Sequence, residues 1–283
     1  MLRADVIDLT VKLALREDVG RRDITSSSII PKNLQIKADL EARQKGILCG
    51  IEVAERVFRY VDENVRFLPV ANDGDVLVEG REIAYIEGPA ASILIAERTA
   101  VNFVSHLSGI ATKTREFVDK IKGTSAQIYD TRKTTPNLRL LEKYAVKTGG
   151  GTNHRFGLYD QVLIKDNHLR VLRNESIPDI VMNARHGALK NTIVGVEVKN
   201  LKEFAEALKA KVNYILLDNM PVERVEEAVA MRKKAGSKID LEVSGRVNLD
   251  NVLAYAQTGV ERISVGCLTH GAPAIDISLD IVG

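Results

Sequence analysis

From about residue 127 the chain repeats one pattern: a short apolar run, a polar tip, then an amphipathic stripe. The runs fall at 127–130, 162–165, 192–198, 214–218, 239–244 and 262–266. Between the later runs lie Leu201, Phe204, Ala205 and Leu208, then Val222, Val225 and Val229, then Leu249, Val252, Leu253 and Ala256, all at helical spacing. Asn200 with Glu203 reads as a capping-box pair, Pro221 suits a first helical position and Gly236 suits a helix end. The last four runs recur about every 20 to 25 residues, the rhythm of βα units feeding a parallel sheet or barrel.

The first 90 residues follow a different grammar. Val6, Leu9 and Leu13 predict an amphipathic opening helix over 5–18 that stops at Gly20. Leu34, Ile36, Ala38, Leu40 and Ala42 alternate with mostly polar residues, as in a strand with one buried face. A helix over 52–61 and short strands at 65–70, 76–78 and 83–86, punctuated by Asn72-Asp-Gly74 and Glu79-Gly80, complete an α+β region. Gly88-Pro89 breaks this pattern. Ile93, Ala96, Ala100, Phe103, Leu107 and Ile110 then mark a long helix joining the two regions. At the far end Ile275, Ile277, Leu279 and Ile281 alternate strictly, which suits a half-buried strand returning to the first sheet.

Composition limits the partners. With 40 basic and 38 acidic residues among 283, no global field favours nucleic acid or an anionic membrane, so anion binding must come from local clusters. The acidic N-terminal stretch is unlike a signal peptide, and the longest apolar runs fall far short of the roughly 18 to 20 residues of a membrane helix. Cys49 and Cys267 stand far apart without ligand spacing, against a disulfide framework or thiolate metal site. A soluble cytoplasmic protein is expected.

In a β/α barrel every βα loop opens on one face, so chemistry gathers at the strand tips. Read in order, the tips here carry Asp130 with Arg132 and Lys133, then Lys165, Glu197, Asp218, Ser244-Gly245, and Gly266. Ser244-Gly-Arg246 and Val265-Gly266 belong to the last strands, where such barrels often hold phosphate on backbone N–H groups. Glu197 and Asp218 suit Mg²⁺ or sugar hydroxyls, or equally a helix cap. Arg132, Lys133, Arg155 and Lys165, with His154 nearby, form a cationic set suited to a small carboxylate substrate and a phosphorylated co-substrate. Arg98 either reaches a pocket from the long helix or is a solvated helix charge.

The densest stretch resembles the quinolinate phosphoribosyltransferase family, the carboxylating nicotinate-nucleotide pyrophosphorylases. The matching segments are Asp130-Thr-Arg-Lys-Thr-Thr-Pro136, Leu140-Leu-Glu-Lys-Tyr-Ala-Val146, Gly149-Gly-Gly151, Asn153-His-Arg155 and Leu163-Ile-Lys-Asp-Asn-His168. Glu97-Arg-Thr99, Asn102-Phe103, Leu107-Ser-Gly-Ile-Ala-Thr112, Gly195-Val-Glu-Val198, Leu217-Asp218 and Ser264-Val-Gly266 extend the likeness over nearly the whole chain.

The resemblance implies an N-terminal α+β open-sandwich domain over 1–110, joined by a C-terminal strand at 271–283, and an incomplete seven-stranded β/α barrel over 111–270. It implies transfer of phosphoribose from phosphoribosyl pyrophosphate (PRPP) to quinolinate with decarboxylation, in NAD biosynthesis, with Mg²⁺ as cofactor. Arg132, His154, Arg155 and Lys165 are expected to hold the quinolinate carboxylates, and Lys133 the pyrophosphate. Glu197 and Asp218 are expected to face the ribose hydroxyls and Mg²⁺, directly or through PRPP and water. Thr131 joins the binding set; Ser244, Gly245, Arg246, Val265, Gly266 and Cys267 cradle the 5-phosphate. Lys133, Lys165, Glu197 and Asp218 are the implied catalytic residues. A homodimer, or a higher assembly built on it, would share its sites through Arg98.

Arg246 departs from the family, which commonly has Gly or Asn there; either its backbone avoids the left-handed region or strain is tolerated. Three other functions compete: a related phosphoribosyltransferase using another aromatic acid such as nicotinate, a Schiff-base lyase using Lys165, and an anion sensor without turnover.

Overall fold

A computed structural model describes residues 3–282; Met1, Leu2 and Gly283 lie outside the described residues. The chain divides into two compact units, one of Met1–Arg115, Thr134–Gly150 and Gly271–Gly283, the other of Glu116–Lys133 and Gly151–His270.

The first unit holds strands β1 (Gln35–Ala42), β2 (Gly46–Ile47), β3 (Arg66–Pro69), β4 (Val76–Leu77), β5 (Glu82–Pro89) and β12 (Ile277–Val282). An antiparallel sheet runs β12-β1-β5-β3, and β2 pairs with β4 as a small ribbon. Alternation in β1 buries Ala38, Leu40 and Ala42, and the register sets Ala38 opposite Ile86 and Leu40 opposite Ala84, so one face becomes core. Helix Ile51–Val61 buries Val53, Ala54, Val57 and Phe58, and the Phe58 ring packs 5.7 Å from that of Phe67 on β3. Helix Ala4–Val19 buries Ile7, Val11 and Leu15 and ends where Gly20 takes φ 59°.

The long helix is Ala90–Lys120, starting where β5 ends at Pro89. Ile93, Ala96, Ala100, Val104, Leu107 and Ile110 are buried along it. Residues 134–150, inside the expected barrel range of 111–270, group with the first unit. There a Cβ on Gly149 would lie 2.4 Å from the Ala111 carbonyl oxygen, and Gly150 has φ 96°. Close packing and a turn thus account for these two glycines. Helix Arg139–Thr148 buries the charged Glu142 and Lys143 beside Leu141, Ala145 and Val146.

The second unit is built on a parallel sheet of β6 (Gln127–Tyr129), β7 (Gln161–Ile164), β8 (Ile193–Val198), β9 (Tyr214–Asp218), β10 (Asp240–Ser244) and β11 (Arg262–Ser264). Its order is β6-β11-β10-β9-β8-β7, open and incomplete. The described sheet has six strands where seven are expected; a parallel bridge from Thr152 to Tyr129 stands at the β6 edge. Helices Leu201–Ala207, Val222–Lys234 and Val252–Gln257 follow β8, β9 and β10. Asn200 caps the first through Glu203 N–H, while the Glu203 carboxylate accepts from Lys199 N–H, so the capping box is displaced by one residue. Pro221 is the N-cap of the second, one position before the helix, and Gly236 follows its end with φ 63°. No described helix is long and apolar enough to cross a membrane.

Candidate active site

Strand register brings the predicted tips side by side within the second unit. Ile164 pairs with Val196, so one residue further on Lys165 lies beside Glu197, and its ammonium donates a hydrogen bond to Glu197 Oε2. Asp218 pairs with Ser244, Ser244 with Ser264, and Ser264 with Tyr129. The acids of β8 and β9 therefore stand between the β7 lysine and the late-strand loops. The half-buried Lys165 is also the N-cap of helix Asp166–Val171, and its backbone N–H donates to His168 Nδ1 at 2.9 Å.

Beyond β6, Asp130 is fully buried and accepts the His154 backbone N–H at 2.8 Å. This bond ties the segment carrying His154 and Arg155 to the loop carrying Thr131, Arg132 and Lys133. Thr131 Oγ1 accepts the Lys133 N–H at 3.0 Å, folding that loop, and Thr269 Oγ1 donates to the Lys133 carbonyl at 2.6 Å. The Lys133 stem passes Gly266, where an added Cβ would lie 3.3 Å from its Cδ.

Arg155 is buried, and its Nη1 donates to the Gln161 carbonyl at 3.4 Å. Burial and the like charge of Arg132 both hold its guanidinium below the usual arginine range. Tyr214, Asp160 and Glu197 act in the opposite sense, and a guanidinium held in this way suits a carboxylate ligand.

His154 is buried among polar groups of the second unit. Its Nδ1 accepts the Arg155 backbone N–H at 2.7 Å, and its Nε2 faces Glu242 Oε1 at 3.2 Å and the Tyr214 hydroxyl at 3.4 Å. Both ring nitrogens are thus engaged by protein groups, which fixes the orientation of the ring.

The late-strand loops adopt left-handed turns. Asn219 has φ 52°, Gly245 φ 101° and Arg246 φ 54°. A Cβ on Gly245 would come within 2.4 Å of the Asn219 side chain, so glycine is required there by space as well as φ. Arg246 is exposed, and its carbonyl accepts from Asn251 Nδ2 at 3.1 Å; the left-handed strain left open by the sequence is the alternative realised. The Val265 N–H is committed to the Tyr129 carbonyl at 2.9 Å, which removes it from the expected phosphate donors. Gly266 and Cys267 follow it at the tip, both half-buried. Arg98 belongs to the first unit, largely exposed, 3.9 Å from its neighbour Glu97.

Residues 23–108 match the quinolinate phosphoribosyl transferase N-terminal domain and residues 110–280 the C-terminal domain of the same family. The chain belongs to the quinolinate phosphoribosyltransferase family. Within that family it is 42% identical to the probable carboxylating nicotinate-nucleotide pyrophosphorylase of Bacillus subtilis, over 94% of this chain and 90% of the relative. It is 40% identical to the carboxylating nicotinate-nucleotide pyrophosphorylase of Mycobacterium leprae, over 96% of each chain. The solved nicotinate-nucleotide pyrophosphorylase of Francisella tularensis superposes with a TM-score of 0.93 at 38% identity, covering 100% of this chain and 98% of that one.

Sequence reasoning missed the polar groups beneath the tips: Glu242, Arg262, Ser264, Tyr129 and Tyr214. The available signal was a charge within an apolar strand, Leu241-Glu242-Val243 and Arg262-Ile263. Which charges meet is a tertiary fact that strand periodicity does not carry.

Proposed function

We propose that the chain transfers phosphoribose from PRPP to the ring nitrogen of quinolinate and releases CO₂, giving nicotinate mononucleotide and pyrophosphate. The observation that carries this reading is the buried Arg155 beside Arg132, near a strand-tip lysine, opposite two acids and two tight late-strand turns. Nicotinate has one carboxylate and would make fewer charge-assisted hydrogen bonds to Arg132, Arg155 and Lys165, so the cation set favours quinolinate.

In this reading Arg132, Arg155 and Lys165 hold the two carboxylates, and His154 keeps Arg155 in place. Thr131 folds the loop that carries Lys133 towards the pyrophosphate. Ser244, Gly245, Arg246, Gly266 and Cys267 receive the 5-phosphate. Glu197 and Asp218 accept from the ribose hydroxyls. As the bond to pyrophosphate breaks, positive charge grows on the sugar, and these carboxylates stabilise it while Lys133 stabilises the departing anion. The ring nitrogen attacks the anomeric carbon. Once alkylated, the ring accepts the electron pair left when the adjacent carboxylate departs as CO₂, and a proton then replaces it; Lys165 and water are the candidate donors.

Glu197 and Asp218 suit Mg²⁺ held mainly by PRPP oxygens and water, since no group of three or more His, Cys, Asp or Glu among the described residues could hold a metal. Bound in that way, Mg²⁺ would neutralise the pyrophosphate charge. The Lys165 ammonium is paired with Glu197, which disfavours a free-amine, Schiff-base reading. We assign Arg98 to the site of a second copy in a homodimer. The free thiols of Cys49 and Cys267 suit a cytoplasmic enzyme.

A crystal structure with quinolinate, Mg²⁺ and a non-reacting PRPP analogue tests the assignment. Carboxylates on Arg132, Arg155 and Lys165, with the 5-phosphate at 244–246 and 266–267, are expected; a phosphate bound elsewhere overturns it.

A further inference from the structure

Below the strand tips the interior of the second unit is unexpectedly polar. Such interiors are usually filled by branched apolar side chains, and Leu163 and Leu216 conform. On the same sheet face, however, Glu242 pairs in register with Arg262, and both are buried. Arg262 lies between two rings, its guanidinium carbon 4.3 Å from the Tyr129 centroid and 4.1 Å from that of Tyr214. Its Nε is 3.1 Å from Glu242 Oε2, yet neither atom makes a hydrogen bond there, so the contact is Coulombic. Ser264 Oγ donates to Glu242 Oε1 at 2.6 Å, the oxygen that also faces His154 Nε2. Burial alone would raise the Glu242 carboxyl, but His154, Arg262 and Ser264 together hold it below its ordinary range.

Apolar residues of similar volume often match or exceed the stability of a buried ion pair, so stability is a weak account of this cluster. The hydrogen bonds suggest a more specific role. Because Nδ1 of His154 accepts the Arg155 N–H, the ring proton belongs on Nε2, and Glu242 Oε1 is the acceptor that fixes it there. With the proton on Nδ1, two donors would face each other at Arg155.

We propose that Glu242 is a positioning residue for quinolinate: it sets the His154 tautomer that anchors the Arg155 backbone, and Arg262 supplies its counter-charge. The proposal rests on the quinolinate reading above. Glu242→Gln breaks the arrangement whichever way the amide points. With its oxygen towards Arg262, the amide N–H₂ faces His154 and drives the proton to Nδ1; with the oxygen towards His154, the N–H₂ meets Arg262.

Two measurements test this. Imidazole ¹⁵N spectra of the labelled wild-type protein, with His154 assigned by substitution, are expected to show a neutral ring protonated on Nε2. An Nδ1-protonated ring or an imidazolium overturns the proposal, with no dependence on turnover or on any variant folding. In kinetics, Glu242→Gln is expected to raise the KM for quinolinate by about ten- to a hundredfold, with kcat and the KM for PRPP close to wild type. In a His154→Asn background, where the amide oxygen accepts from Arg155 without a tautomer, Glu242→Gln should add less than about twofold. An unchanged quinolinate KM in folded Glu242→Gln, or an equal loss in both backgrounds, overturns the proposal. If the wild-type protein does not turn over quinolinate, the functional reading fails, while the ring spectrum still reports on the His154–Glu242 arrangement.

Discussion

Gly195 lies directly beneath the ring of Tyr214: a Cβ at Gly195 would sit 2.2 Å from the Tyr214 Cζ. The two residues are register partners on β8 and β9, and the ring occupies the space that the missing side chain leaves. Tyr214 in turn flanks Arg262 and His154, so a backbone hydrogen on one strand sets the shape of the polar cluster on its neighbours.

Gly195→Ala is therefore expected to overpack the interior and cost about 1–3 kcal/mol. Urea unfolding of the variant measures this. Stability equal to wild type would show that the Tyr214 ring can move aside freely.

Arg155→Lys should raise the quinolinate KM by about tenfold or more, because a point charge cannot reproduce a guanidinium fork. Steady-state kinetics with each substrate varied in turn provide the check. Unchanged KM and kcat would count against the carboxylate assignment.

At Arg246 the backbone is left-handed, a conformation that costs an L-residue about 1–2 kcal/mol relative to glycine. Arg246→Gly is expected to leave stability the same or raise it by up to about 1 kcal/mol, since glycine also loosens the unfolded chain. The KM for PRPP should rise severalfold if the guanidinium contacts the 5-phosphate. A lowered thermal midpoint would contradict the strain account.

Mixing Arg98→Ala protein with Lys165→Ala protein tests the shared site. Random exchange between dimers should restore roughly a quarter of wild-type sites, because one site in each hybrid combines two intact contributions. No recovery, with exchange verified, would assign Arg98 to its own chain.

Much of the fold was legible because its elements bury one face. The alternation in β1, the stripe of Ala90–Lys120 and the βα rhythm all come from water being excluded on one side. Helix Arg139–Thr148 escaped because it turns Glu142 and Lys143 inward, where Glu142 meets His106 Nε2 at 2.9 Å and the Thr135 N–H at 3.1 Å. Helix Ile177–Gly187 buries only Ile177, Ile180 and Val181, too few for a clear period, although Ser176 and Asp179 mark its start.

The site shows the same division. Lys165, Glu197 and Asp218 were visible as strand tips because a tip is a local pattern. The orientation of the His154 ring and the lost N–H of Val265 depend on Glu242 and Tyr129, partners distant in sequence, and no periodicity reveals such pairs. Likewise, residues 134–150 directly follow the cationic loop in sequence yet group with the other unit, where Gly149 packs closely on the long helix.

The most direct test of the central claim is the stoichiometry of the reaction. Purified protein is incubated with Mg²⁺, PRPP and quinolinate, and CO₂ and pyrophosphate are measured together, with nicotinate as the control substrate. Equal release of both from quinolinate and little pyrophosphate from nicotinate is predicted. Pyrophosphate release without CO₂, or preferential turnover of nicotinate, would contradict it.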